Sequence, residues 1–157
     1  MPHLLRTSSA LAVCILAGAW IRVRADAPPA RYVIDSDTVK DTRTGLVWQR
    51  KVGMRDGTFD AAGRYCQTLT LAGGGWRLPG VKELATLVDP TRNDPAIDPT
   101  AFPGTPSVFF WSASAPTSLV GVQARFGVNF RTGAIHPVYS SNLDAPAATT
   151  NAVRCVR

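Results

Sequence analysis

The placement of cysteine constrains this chain more than any other feature of its 157 residues. Three are present, Cys14, Cys66 and Cys155, and the first lies in a stretch built like a secretory signal. Arg6 supplies positive charge, residues 10–20 form a short apolar core, and small residues follow at Ala25 and Ala27. Arg22 and Arg24 interrupt the apolar run after about eleven residues, well short of the roughly 20 that a membrane-spanning helix needs. Residues 1–25 are therefore expected to be a signal peptide and not an anchor, residues 26–31 a short leader, and residues 32–157 one folded domain. Val13 is not the small residue expected before a lipid-bearing cysteine, so no lipid anchor is expected at Cys14. Cleavage leaves Cys66 and Cys155 alone in a chain that matures outside the reducing cytosol, periplasmic or secreted, and such a pair reads as a disulfide. In the chain-entropy description, closing a loop of about 90 residues contributes on the order of 4 to 5 kcal/mol.

Loss of the signal peptide also changes the charge. The whole chain carries 17 Lys+Arg against 11 Asp+Glu. Removing Arg6, Arg22 and Arg24 leaves 14 basic residues against the same 11 acids, a net charge of +3. That is too mild for the concentrated basic face that nucleic-acid binding requires, and no nucleic-acid partner is expected.

Residues 32–39 are rich in β-branched and aromatic side chains around an Asp-Ser-Asp turn, and a second turn over 42–45 leads into Leu46-Val47-Trp48; together they read as a short hairpin. Thr58 is a helix N-cap candidate. Phe59, Ala62, Cys66 and Leu69 then recur at spacings of three and four, giving an amphipathic helix that Gly73-Gly74-Gly75 is expected to end. A second helix is expected over 81–88, with Val81, Leu84, Ala85 and Val88 on one face and Asp89-Pro90 as its stop. The proline-rich stretch 91–106 reads as a long loop. Residues 108–112, 121–130, 134–140 and 153–156 read as strands, with Gly133 supplying a positive φ in the tight turn between the middle two. The order is that of an α+β protein.

The blocks Thr44-Gly45-Leu46-Val47-Trp48-Gln49, Ala62 through Tyr65-Cys66, Trp76-Arg77-Leu78-Pro79 with Lys82-Glu83-Leu84, Phe110-Trp111-Ser112 and Val153-Arg154-Cys155-Val156-Arg157 stand in a telling order. Together they resemble the bacterial family of the C-terminal domain of Legionella collagen-like protein, across nearly all of residues 32–157. The resemblance implies a C-type-lectin-like fold with two helices, a twisted antiparallel sheet and one long disulfide, Cys66 with Cys155. The pairing implied by the family is the one reached from cysteine count and compartment. A similar Arg-Leu-Pro turn occurs in formylglycine-generating oxidases of the same fold. Fold alone carries no function across.

Such an oxidase needs redox-active thiols, and both mature cysteines are better placed as a structural bond. His136 is the single mature histidine, has no triad or metal-ligand spacing around it, and reads as a structural or solvent residue. Asn93, Asp94 and Asp98 offer hard oxygens for calcium, but the Glu-Pro-Asn and Trp-Asn-Asp triplets of calcium-dependent lectins are absent. These residues, like Asp35, Asp37 and Asp41, read as turn formers. Trp48, Trp76 and Trp111 read as core. No catalytic residue, metal or cofactor is expected. The candidate ligand-binding residues are Arg50, Lys51 and Arg55 after the hairpin, with Arg125 and Arg131 near the last strands, because guanidinium groups match sulfate and carboxylate oxygens two at a time. Relatives that engage sulfated glycans point the same way. The expected function is an exported, non-catalytic recognition module for acidic or sulfated glycans or a cell-surface protein. An enzyme related to the formylglycine-generating oxidases and a structural envelope component are the alternatives.

Overall fold

The computed structural model describes residues 31–55, 58–115, 124–139 and 151–157. The expected signal, nearly all of the short leader, Cys14 and residues 121–123 and 140 of two expected strands lie outside them.

The chain opens with three antiparallel strands, β1 (Tyr32–Ile34), β2 (Thr38–Asp41) and β3 (Val47–Gln49), in the order β1-β2-β3. The Asp-Ser-Asp turn forms because the Asp35 carboxylate accepts the Ser36 N–H at 2.8 Å while the Asp35 N–H reaches the Thr38 carbonyl at 2.9 Å. Where a hairpin was expected there is a meander of three strands. The second turn closes when the Gly45 N–H meets the Asp41 carbonyl at 2.8 Å, and this lays Val47 against Lys40 and Trp48 against Val39.

Helix α1 (Phe59–Thr68) starts where its cap predicts, with the Thr58 hydroxyl accepting the Ala61 N–H at 3.2 Å. Ala62 and Cys66 form its buried face. It ends before the glycines, at Thr68, because the chain first makes a separate 3-10 turn over Leu71–Gly73. Helix α2 (Val81–Ala85) is shorter than the periodicity suggests. The N–H groups of Thr86, Leu87 and Val88 bond carbonyls three residues back, so the last turn tightens ahead of Asp89-Pro90. Loop 91–106 holds no regular element, yet it sends Ala96, Ile97, Ala101 and Phe102 into the core.

A second sheet contains β4 (Phe109–Trp111), β5 (Ala124–Asn129), β6 (Ala134–Tyr139) and β7 (Asn151–Ala152) in the order β6-β5-β4-β7. Gly133 turns between β5 and β6 at φ +79°, as its position demanded. The expected closing strand over 153–156 is a correction. The strand is Asn151–Ala152, and it pairs with β4 in parallel, so the sheet is mixed. Beyond it the tail divides its hydrogen bonds among three neighbours. Val153 pairs with the Gly53–Met54 backbone, Cys155 and Arg157 pair with Gln49 and Val47, and Val156 exchanges two bonds with Arg77. A segment claimed from two sides has no single ladder to join.

Tail and sheets enclose two apolar clusters. One gathers Trp48, Phe102, Phe110, Phe130, Leu84 and Leu87; the other gathers Trp76, Leu78, Trp111 and Val153 around the disulfide. All three tryptophans expected in the core are buried there.

Gly127, opposite Trp111 in the sheet, has no room for a side chain: a Cβ would run into the Phe110 carbonyl oxygen and the Phe109 ring. The oxygen belongs to the β4 backbone and cannot swing away. Gly127→Ala is expected to destabilise the protein by about 1–3 kcal/mol in equilibrium denaturation, the range for an overpacked core.

Candidate functional site

The tail places the chemistry. Cys66 on α1 and Cys155 are joined, with Cα atoms 5.5 Å apart and both residues fully buried. Both cysteines of the described residues are thereby withdrawn from thiol chemistry.

Next to the disulfide sits a residue whose role sequence reading missed. Arg154 is fully buried, and no carboxylate lies in an ion pair with it among the described residues. Its guanidinium donates to the Gln49 carbonyl at 2.6 Å, to the Arg50 carbonyl, and to the Thr105 hydroxyl at 2.7 Å, and it lies 4.6 Å from the Phe102 ring centre. Burial pulls its pKa down to about 9, which still leaves it charged at neutral pH. It locks β3, the long loop and the tail together.

Asp41 also does more than form a turn. Its carboxylate is fully buried, accepts the Arg43 N–H at 2.9 Å and pairs with Arg31 at 2.8 Å, while the same Arg31 nitrogen reaches the Thr86 carbonyl at 2.6 Å. Burial raises the Asp41 pKa, but the bonds from Arg31 and the Arg43 amide outweigh it and hold the group below the usual carboxylate value. A carboxyl with a lower pKa folded than unfolded binds fewer protons when folded. Its stabilisation is therefore complete above the unfolded value of about 4 and is lost as pH falls through the folded value. Unfolding free energy is expected to drop below about pH 4, and Asp41→Asn, losing about 1–3 kcal/mol at neutral pH, to show a shallower acid decline.

The outward feature built on this frame is an open groove of about 560 Å3. Its walls are α1, through Phe59, Asp60, Gly63, Arg64 and Gln67, and the Arg77-Leu78 turn with Ala113. Both walls hang on the tail, α1 through Cys155 and Arg77 through Val156. Arg77 is held by two bonds to Glu83, at 2.7 and 2.6 Å, and Glu83 accepts the Gly80 N–H at 2.8 Å. These bonds raise the Arg77 pKa and lower that of Glu83. Arg64 is exposed and makes no ion pair among the described residues. A cation pinned by Glu83 and one without an ion pair line the same groove, together with Phe59 and Leu78.

The residues expected to bind ligand are spread widely. Arg50 leans on the Ser36 carbonyl at 3.3 Å beside the first turn, Lys51 is exposed, and Arg55 lies near the Gly104 carbonyl at 3.5 Å. Arg131 stands in the β5–β6 turn, where its carbonyl takes the Asp94 N–H. Arg125 does not line the groove, but its guanidinium stacks 4.4 Å over Phe59, which does. Asp98 accepts the N–H groups of Thr100 and Ala101, as a turn former does, and His136 is exposed on β6. No group of three or more His, Cys, Asp or Glu stands ready for a metal among the described residues. No helix among them is long and apolar enough to cross a membrane.

These features define a small disulfide-braced α+β domain with a mixed-charge groove on its surface. The chain belongs to the family of the Lcl C-terminal domain, which matches it over residues 37–157. No curated protein and no solved structure matches it.

Proposed function

We propose that the chain is an exported, non-catalytic recognition module, a variant of the C-type-lectin fold, and that it takes an anionic group of an extracellular ligand into the groove between α1 and the Arg77-Leu78 turn. The observation that carries this reading is that Arg77, already oriented by Glu83, and Arg64, which makes no ion pair among the described residues, line one groove. A pinned guanidinium loses little freedom when it meets a carboxylate or sulfate, and a second cation gives the anion a two-sided seat. The brace supports the fold assignment, since it joins α1 to the segment after β7 by the long pairing that the family resemblance implies. Both described thiols are spent in that brace, which speaks against thiol-dependent oxidation. Acidic or sulfated glycans and acidic cell-surface proteins are the ligand classes.

Retention on a heparin-like column at low salt, followed by titration with a defined sulfated oligosaccharide, tests this. Arg64→Gln and Arg77→Gln are each expected to weaken binding about 10-fold, the loss of one charge-assisted contact. Reversing charge at Arg50, Lys51 and Arg55 is expected to have the smaller effect of distant screened charges. Binding that ignores the first pair and follows the second moves the site to the β3 end.

A further inference from the structure

The groove is not simply basic. Asp60 lies one helical turn before Arg64 on α1, both are exposed, both line the groove, and neither forms an ion pair with the other or with another described residue. On the facing wall the charge of Arg77 is largely answered by Glu83. A uniformly anionic chain entering here would gain at Arg64 and Arg77 and be repelled at Asp60 and Glu83. A ligand carrying one charge of each sign would satisfy both free groups of α1.

We propose that this groove selects a zwitterion, a carboxylate and a protonated amine about 6 Å apart, with Asp60 as the residue that sets the preference. The spacing is that of four helical residues rising about 1.5 Å each. Two extended residues of a peptide span at most about 7 Å, so the free ends of a dipeptide fit it. A disaccharide of a hexuronate and an amino sugar with a free amine carries the same pair of charges. The carboxylate meets Arg64 and the outer face of Arg77, the ammonium meets Asp60, and the carbon skeleton rests on Phe59 and Leu78. Gln67, one further turn along α1, offers an amide to the polar group that follows. The inference rests on the groove being the binding site and adds what it discriminates.

The test follows groove resonances by NMR while the folded protein is titrated with dialanine, N-acetyl-dialanine and dialanine amide, with a glucosamine–glucuronate disaccharide and its N-acetyl form, and with a sulfated oligosaccharide. At least one free zwitterion is expected to bind saturably, and blocking its amine to weaken it at least 5-fold. For the peptide probe, amidation of the carboxylate is expected to do the same. Asp60→Asn should abolish the preference for the free amine and leave the preference for the carboxylate; Arg64→Gln should do the reverse. Both positions are exposed, so the melting temperature of each variant should match the parent. Which zwitterion binds tighter names the source as peptide or amino sugar. Equal binding of free and blocked forms, or no binding of either zwitterion, overturns the proposal. If the sulfated oligosaccharide then still binds and Arg64→Gln still weakens it, the groove stands as an anion site and only the selectivity falls. If nothing moves the groove resonances, the site assignment falls as well.

Discussion

Arg154→Ala is expected to lower the unfolding free energy by about 3–5 kcal/mol, enough to threaten folding of a domain this size. Removal of the guanidinium takes a donor from the carbonyls of Gln49 and Arg50 and from the Thr105 hydroxyl, which keeps its own bond to the Phe102 carbonyl, and each buried group left unpaired costs about 1–3 kcal/mol. It also opens a cavity beside Phe102 and Phe110. One term opposes these: the charge is desolvated with no acid beside it, so deleting it removes a penalty. Arg154→Met separates the two, because it keeps most of the volume and all of the relief while losing the hydrogen bonds. We expect Met to be less damaging than Ala but still about 2 kcal/mol below the parent. Lys at this position keeps the charge yet cannot span two carbonyls and a hydroxyl from one compact head, so it too should fall short. Urea midpoints at unchanged slope measure all three. A Met variant as stable as the parent would mean that desolvation outweighs the lock.

How far such features can be read in advance depends on how local their causes are. Thr58 and the three-and-four spacing after it lie within one turn of what they specify, and α1 begins where they say. Gly133 likewise answers to its own backbone angle. Residues 153–156 carry the apolar pattern of a strand, but their partners lie more than 75 positions away on two different segments, and nothing in the pattern reveals that the claim is divided. Asp41 shows both cases in one side chain. Its bond to the Arg43 N–H is local and was legible as a turn, whereas the pairing with Arg31 needs β1 and β2 to be laid side by side first. The groove is of the second kind. Arg64 and Arg77 sit on separate elements, and only the packing of Leu78 and Trp76 against α1 and the disulfide turns them toward one space. The basic residues chosen from sequence were grouped by proximity along the chain, and the groups they touch, the Ser36 and Gly104 carbonyls and the Phe59 ring, lie on separate parts of the fold.

The replacement of both Cys66 and Cys155 by Ala is expected to destabilise the domain by about 2–5 kcal/mol, and the damage should concentrate at α1 and the tail. The bond spans 89 positions, so its absence frees a large part of the unfolded chain, and the entropy description puts the effect near the upper end. Native interactions set where it is felt. Without the bond, α1 is held by Ala62 and its neighbours in the second apolar cluster and by the Gln49 amide donating to the Tyr65 hydroxyl at 2.8 Å. The first turn of α1 and the Arg77 segment should then exchange amide hydrogens faster than β2 or β5, which belong to the other cluster. Both sulfurs belong to fully buried residues, so a dithiol reductant must wait for the structure to open. Reduction of the folded protein should therefore accelerate with urea in step with unfolding. Ligand binding at the groove should weaken in the Ala pair even under conditions where the sheets remain protected, because the two walls no longer share a fixed support. Rapid reduction in buffer that leaves both stability and binding unchanged would show that the brace contributes nothing to either.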